Sequence, residues 1–226
     1  MTATIDATRN PYLSIYKDYL LAQVKWEDYG LAGISIINVG QVIPGLTLAR
    51  LLRERYPHLH IVIGGSVFNR HADILNDKQM LFEKFFHSII LFEGEHPLDC
   101  LVTQLKENKS LHSVPNLIHM DKGKIIRNLT AKSLPYEQLQ CPNFDDLPLE
   151  KYLMPYPVLP YMSSRGCYWG KCTFCTHSFI YDSYYRKENE TRVAQELAYL
   201  GKKYKTRYFT FSDEAISPNA YRRMSS

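Results

Sequence analysis

Three cysteines, Cys167, Cys172 and Cys175, fall within nine positions of the stretch SSRGCYWGKCTFCTH, separated by four residues and then by two. Thiolates spaced this closely on one loop can reach a common inorganic core, and cysteine ligation is the usual way proteins hold iron–sulfur clusters. A cluster held by three thiolates would leave one iron unligated and open to a substrate, a catalytic arrangement. Zinc is the chemical rival. A structural zinc site completes four tetrahedral ligands, and the one nearby candidate for the fourth is His177, since Cys100 and Cys141 lie far upstream. Lys171, Thr173 and the flanking glycines read as loop residues, which argues against three cysteines buried as small apolar side chains. Five cysteines in 226 residues are too few for a disulfide scaffold, so reduced thiols with a metal task are expected.

The segments that must position this loop alternate between strand and helix. Residues 11–30 carry Leu13, Tyr16, Leu20, Leu21 and Val24 near the 3.6-residue period of an amphipathic helix. Leu31–Ile37 is short, continuous and isoleucine-rich, which suits a strand buried on both faces of a parallel sheet. A helix follows, with Pro44 near its first turn, Leu46, Ala49, Leu51 and Leu52 as its buried stripe, and Pro57 beyond its end. His60–Ile63 is a second strand, stopped by Gly64-Gly65, and completes a βαβ unit. Ser88–Phe92 is a third strand, followed by Glu93-Gly94-Glu95 and a helix over about 97–106. Asn116–His119 and Ile125–Arg127 flank the turn sequence Asp121-Lys122-Gly123 and predict a hairpin. Residues 133–160 hold six of the chain's twelve prolines and read as a connector, with a domain boundary near 130–155. Beyond it come a strand over about 158–163, the cysteine loop, a helix over about 188–204 and a strand over 208–211.

Composition bounds the function. At roughly 100 to 200 residues per domain, the chain holds one full domain or two small ones. Hydrophobic residues at 45% and charged residues at 22% predict a folded chain with a core. With 27 Lys+Arg against 23 Asp+Glu, a net charge of +4 spread along the chain announces no nucleic-acid partner. Tyr181, Tyr184 and Tyr185 beside Arg186 could stack on bases, but no basic stripe accompanies them, and an aromatic loop cluster is the expected reading. No apolar stretch approaches the roughly 18 residues of a membrane span, and residues 1–10 lack the features of a secretory signal, so a cytoplasmic location is expected.

The stretch from about Pro142 to Pro218, PNFDDLPLEKYL through LPYMSSRGCYWGKCTFCTHSFIYDSYYR to FTFSDEAISP, closely resembles radical S-adenosylmethionine enzymes of the group that carries an amino-terminal cobalamin-binding domain. The resemblance implies that Cys167, Cys172 and Cys175 ligate a four-iron four-sulfur (4Fe-4S) cluster whose open iron chelates S-adenosylmethionine. It also implies that Phe174 lies near the adenine, and that Asp213 or Glu214 stands where the family's glycine-rich segment meets the methionine amino group. The four-residue first gap departs from the commoner three. Upstream, the family's Ser-x-Leu signature and later Gly-Gly pair are matched by Ser35-Ile36-Ile37 and, after 26 intervening residues, Gly64-Gly65, while Glu93-Gly94-Glu95 ends the next strand. Ser35, Gly64, Gly65 and Gly94 are thereby candidate cobalamin contacts. The family's Asp-x-His-x-x-Gly motif is absent, so cobalt ligation by its histidine is not implied.

The expected fold is therefore α/β: a partial doubly wound, Rossmann-like cobalamin-binding sheet over 1–130, incomplete at its amino terminus, a connector over 131–157, and the start of a radical S-adenosylmethionine partial (β/α) barrel over 158–226. Only 59 residues follow Cys167, whereas a full barrel averages about 250. The expected activity is reductive cleavage of S-adenosylmethionine to modify unactivated carbon, including methyl transfer, impaired by the missing barrel. The cofactors would be the cluster, S-adenosylmethionine and cobalamin; the partners, a small-molecule or peptide substrate and an electron donor such as flavodoxin or ferredoxin. Two other readings stay open: a non-catalytic cluster-binding module or remnant, and a zinc-stabilised interaction domain.

Overall fold

The computed structural model describes residues 2–175 and 185–224. The chain divides into two compact units, Met1–Lys132 and Ser133–Ser226.

In the first unit, β1 (Leu31–Ser35), β2 (His60–Gly64) and β3 (Ser88–Ile90) run parallel, and β4 (Leu117–Asp121) and β5 (Lys124–Arg127) close the sheet as an antiparallel hairpin. The strand order is β1-β2-β3-β4-β5. The hairpin turn places Lys122 at φ 47° and Gly123 at φ 77°, the left-handed pair a tight two-residue turn needs. Helix α1 (Val42–Arg55) connects β1 to β2, and the shorter α2 (Gln79–Lys84) precedes β3. Both pack on one face, where Ala49, Leu52, Phe82 and Phe86 meet Ile36, Ile61, Ile63 and Ile89. Helix α3 (Glu95–Lys106) lies on the other face, with Leu101 packed among Val62, Ile90 and Leu117. The uninterrupted apolar runs of β2 and β3 thus have helices on both sides. Each large side chain fully buried here contributes roughly 1.5–3 kcal/mol.

The amino-terminal helix is shorter than the periodicity predicts. Helical backbone runs from Tyr12 to Gln23, with Ile15–Leu20 in wider π turns, and Val24 is extended at φ −122°, ψ 132°. A 3₁₀ turn at Trp26–Asp28 then leads into β1. Leu13 and Leu21, eight residues apart, both face the core, as the apolar spacing predicts. Strands β1 and β3 also end earlier than expected, because Ile36 and Leu91 leave the regular ladder while still donating to Gly64 O and Asn116 O.

In the second unit the proline-rich stretch forms 3₁₀ turns at Tyr136–Gln138 and Leu149–Lys151. Strands β6 (Val158–Tyr161) and β9 (Tyr208–Phe211) pair in parallel through helix α4 (Glu190–Lys203). The Asn189 side chain caps α4 by accepting from Thr191 N at 2.8 Å. Val193 and Leu200 of the helix bury against Leu159 and Tyr161. Two short segments, β7 (Ser164–Arg165) and β8 (Arg186–Lys187), pair antiparallel, and α5 (Pro218–Met224) follows β9.

Candidate functional site

A cavity of about 410 Å³ opens at the carboxyl ends of β1, β2 and β3. Ser35, Gly64, Gly65 and Gly94 all line it, together with Gly33 and Phe92. In open α/β sheets ligands settle at this end of the strands. Among the described residues no ionisable side chain lines the cavity, so its chemistry is that of a binding surface: aliphatic walls, the ring of Phe92 and the hydroxyl of Ser35.

The glycines serve the cavity in two ways. A Cβ on Gly33 would come no closer than 3.9 Å to Val62 Cγ1, one on Gly64 no closer than 3.8 Å to Ile90 O, and one on Gly94 would meet nothing within 4 Å. Their missing side chains leave open space that a bulky ligand could use. Gly65 is different: its φ is +106°, and a Cβ would fall 2.3 Å from Ile36 O. Its first task is to let the chain after β2 press against the backbone leaving β1, where Ser66 Oγ donates to Ile37 O at 3.1 Å. Around the rim, Gln41 Oε1 accepts from Ile37 N at 2.9 Å and Asn38 N at 3.1 Å, fixing the loop after β1. Phe92 sits at φ 60°, with its N–H donating to Asn69 Oδ1 at 2.8 Å. Sequence reasoning missed Gly33 and Phe92; the first sits inside an otherwise ordinary strand, and the left-handed backbone of a phenylalanine has no signature in sequence.

The cysteine loop leaves β6 in the second unit. Its root is held on several sides: Glu188 N donates to Ser163 O at 2.8 Å, Tyr136 Oη to Met162 O at 2.5 Å, and β7 pairs with β8. The Arg186 guanidinium donates to Leu134 O. Burial pushes the Tyr136 phenol well above its ordinary range, so it stays a donor. Gly166 at φ 80° and Gly170 at φ 60° then turn the chain, and a 3.1 Å bond from Cys175 N to Cys172 O closes the turn between the last two thiols. All three thiols are free; Cys172 is exposed and the others half-buried.

Among the described residues no group of three or more His, Cys, Asp or Glu is gathered closely enough to hold a metal ion. The donor set nevertheless fits a cluster: three free thiols share one glycine-turned loop. His177, the fourth ligand that zinc would need, lies outside the described residues, as do Tyr181 and Tyr184. Phe174 is 87% exposed and stands free to cover a flat ligand. Cys141 packs against the second unit's core, and burial pushes its thiol up. Cys100 lies on α3 in the first unit, 3.7 Å from His96, and burial raises it as well. Neither shares the loop.

The acidic pair after β9 divides. The Asp213 carboxylate is engaged by Ser163 and Ser164, at the root of the cysteine loop. Glu214 beside it is half-buried. Nearby, Tyr161 Oη donates to Glu196 Oε2 at 2.8 Å, and Arg192 joins Glu196 and Glu188 at 2.8 and 3.0 Å, tying α4 to the strand that leads into the loop.

No protein-family model matches the sequence. Among curated proteins, the chain is 26% identical over 204 residues to an uncharacterized methyltransferase of Pyrococcus horikoshii, covering 88% of this chain and 42% of that protein. It is 28% identical over 143 residues to the 4′-phospho-dehydrooxetanocin synthase of Priestia megaterium, covering 62% of this chain and 15% of that protein. It is 25% identical over 176 residues to the anaerobic magnesium-protoporphyrin IX monomethyl ester cyclase of Synechocystis, covering 76% and 34%. The chain therefore spans less than half the length of each. Among solved structures, the cobalamin-dependent S-adenosylmethionine radical enzyme OxsB, with aqua-cobalamin and S-adenosylmethionine bound, superposes with a TM-score of 0.72 at 20% identity, over 93% of this chain and 30% of that one. The radical S-adenosylmethionine methyltransferase TsrM from Kitasatospora setae superposes with a TM-score of 0.60 at 16% identity, over 96% and 42%. Over nearly its whole length the chain thus carries the fold of part of the cobalamin-dependent radical S-adenosylmethionine enzymes, which are its structural neighbours.

Proposed function

We propose that this chain is the cofactor-binding part of a cobalamin-dependent radical S-adenosylmethionine enzyme that modifies unactivated carbon, with methyl transfer as its reaction. The observation that carries the reading is the placement of three free thiols on the loop leaving the first strand of a parallel βαβ unit, the end of the strand at which such folds hold their ligands. When bound, a four-iron four-sulfur cluster supplies the electron that splits S-adenosylmethionine, and cobalamin carries the methyl group.

The chain's own residues bind and orient. Cys167, Cys172 and Cys175 hold the cluster, while Gly166 and Gly170 turn the loop so that the thiols can converge. Phe174 and Glu214 serve S-adenosylmethionine, the first by stacking and the second by charge. In the first unit Ser35, Gly33, Gly64 and Gly94 admit one edge or the tail of the corrinoid, and the aliphatic strand ends exclude water from it. The electron comes from a flavodoxin or ferredoxin, and the substrate is a small molecule or peptide.

Anaerobic reconstitution should load about four iron and four sulfide per chain. Cys167→Ala, Cys172→Ala and Cys175→Ala should each abolish loading, while Cys100→Ala and Cys141→Ala leave it intact. Zinc without iron or sulfide in the purified protein would overturn the assignment in favour of a zinc-stabilised domain. A loaded cluster that never cleaves S-adenosylmethionine under reduction, even with a carboxyl-terminal fragment of a longer relative, would make the chain a non-catalytic module.

A further inference from the structure

Asp213 has an arrangement that contact with a substrate would not require. Its Oδ1 accepts from Ser163 Oγ at 2.8 Å and Ser164 Oγ at 2.5 Å, and both carboxylate oxygens lie 3.1 Å from Ser163 N. Ser163 and Ser164 are 5% and 1% exposed, so their donors have little recourse to water and need a protein acceptor. The register explains why the acceptor is a side chain. Tyr161 pairs with Phe211 at the last rung of the β6–β9 ladder, and Ser212 N still donates to Tyr161 O at 2.9 Å. One step further the carboxylate receives the Ser163 amide in place of a strand carbonyl. The chain is thereby diverted out of β6 and into β7, the segment that delivers Cys167.

We propose that Asp213 is the positioning residue of the cysteine loop: it clamps Ser163 and Ser164 and thereby sets where the first thiol stands, rather than contacting S-adenosylmethionine. Only two residues, Arg165 and Gly166, separate Ser164 from Cys167, a reach of at most about 11 Å, so the clamp limits where that thiol can go. Gly166, at φ 80°, directs the remaining step. The inference rests on the cluster reading above, but the clamp itself is testable without any cluster.

In the metal-free 226-residue chain, Asp213→Asn should raise hydrogen–deuterium exchange in peptides spanning 162–167 and leave those spanning 117–127 unchanged. The double variant Ser163→Ala, Ser164→Ala should reproduce the effect. In the reconstituted chain, both variants should retain about tenfold less iron after a chelator challenge, the scale on which outer partners of metal ligands act. With S-adenosylmethionine absent, they should also change the electron paramagnetic resonance spectrum of the reduced cluster. Normal exchange in Asp213→Asn would overturn the clamp outright. Raised exchange with an unchanged cluster spectrum and normal retention would reduce it to a fold contact. Normal loading and spectrum with weakened S-adenosylmethionine binding would return Asp213 to a ligand contact. Failure of the parent chain to load any cluster, with exchange still raised in the variants, would remove the cluster reading and leave Asp213 as the clamp of an apoprotein loop.

Discussion

Gly64 and Gly65 are neighbours with different duties, and mutation should separate them. Gly65 occupies φ 106°, ψ 161°, a region open essentially to glycine alone, and a Cβ there would meet the backbone of Ile36. Gly65→Ala should therefore destabilise the first unit by about 1–3 kcal/mol from conformation alone, with the clash adding to it. Urea unfolding should show the loss with no corrinoid present. Gly33 has only ordinary contacts waiting for a side chain, and valine favours a strand. Gly33→Val should leave the unfolding midpoint nearly unchanged and weaken corrinoid binding by tenfold or more; equal affinity by titration would remove the cavity from the account. The sequence marks Gly64-Gly65 as a pair because a missing Cβ is visible in it, whereas the neighbour that requires the absence is not. Asp213 is the same case: its carboxylate is legible, but the two serines fifty and forty-nine residues upstream that claim it are brought there only by the parallel register.

At the scale of elements, apolar runs and turn residues announced the strands of the first sheet, the hairpin and the βαβ of the second unit. Burial on both faces holds for β2 and β3, whereas β1, expected to be buried on both faces, stands at the sheet edge with Gly33 and Ser35 exposed. The histidines at the sheet's lower end left no such pattern. His60 at the start of β2 stacks on His87 just before β3, with ring centroids 5.0 Å apart, and His60 Nε2 lies 2.8 Å from Ser88 Oγ. His87 Nδ1 accepts from Ile61 N at 2.9 Å, a bond that exists only while that nitrogen is unprotonated. Burial pushes His60 down to about 3, with the charges of His87, His119 and Arg53 adding to it; burial and then Arg53 push His87 down to about 4. Both stay neutral in the folded chain where the unfolded chain, with histidines near 6.5, takes up protons. The folded state therefore has its full share of this stability above about pH 6.5 and loses it as the pH falls from there toward 4. Unfolding free energy measured across pH 4 to 7 should rise with pH. His87→Asn, which keeps an acceptor for Ile61 N without a titrating ring, should reduce that slope by about one proton, roughly 1.4 kcal/mol per pH unit. An unchanged slope would mean that His87 takes up its proton equally in both states.

The whole molecule sets what the cofactors could achieve. The first unit presents a cavity ready-made at the ends of three parallel strands, and its sheet is closed on one side by a hairpin. The second unit offers, among the described residues, one parallel pair of strands and the helix that joins them, against the roughly 250 residues of a complete barrel. A reactive intermediate has to be kept from water and held against its target, which takes a shaped and largely closed wall. Phe174, exposed on the cysteine loop, is the side chain that such a wall would cover. The 226-residue chain should therefore load its cluster yet bind S-adenosylmethionine weakly, and cleave it slowly without modifying a substrate. Counting 5′-deoxyadenosine per cluster under reduction should give few turnovers for the chain alone. It should give more when a carboxyl-terminal fragment of a longer relative supplies the remaining strands. Many turnovers by the isolated chain, with modified substrate formed in proportion, would show that one βαβ unit and its loop already enclose the chemistry.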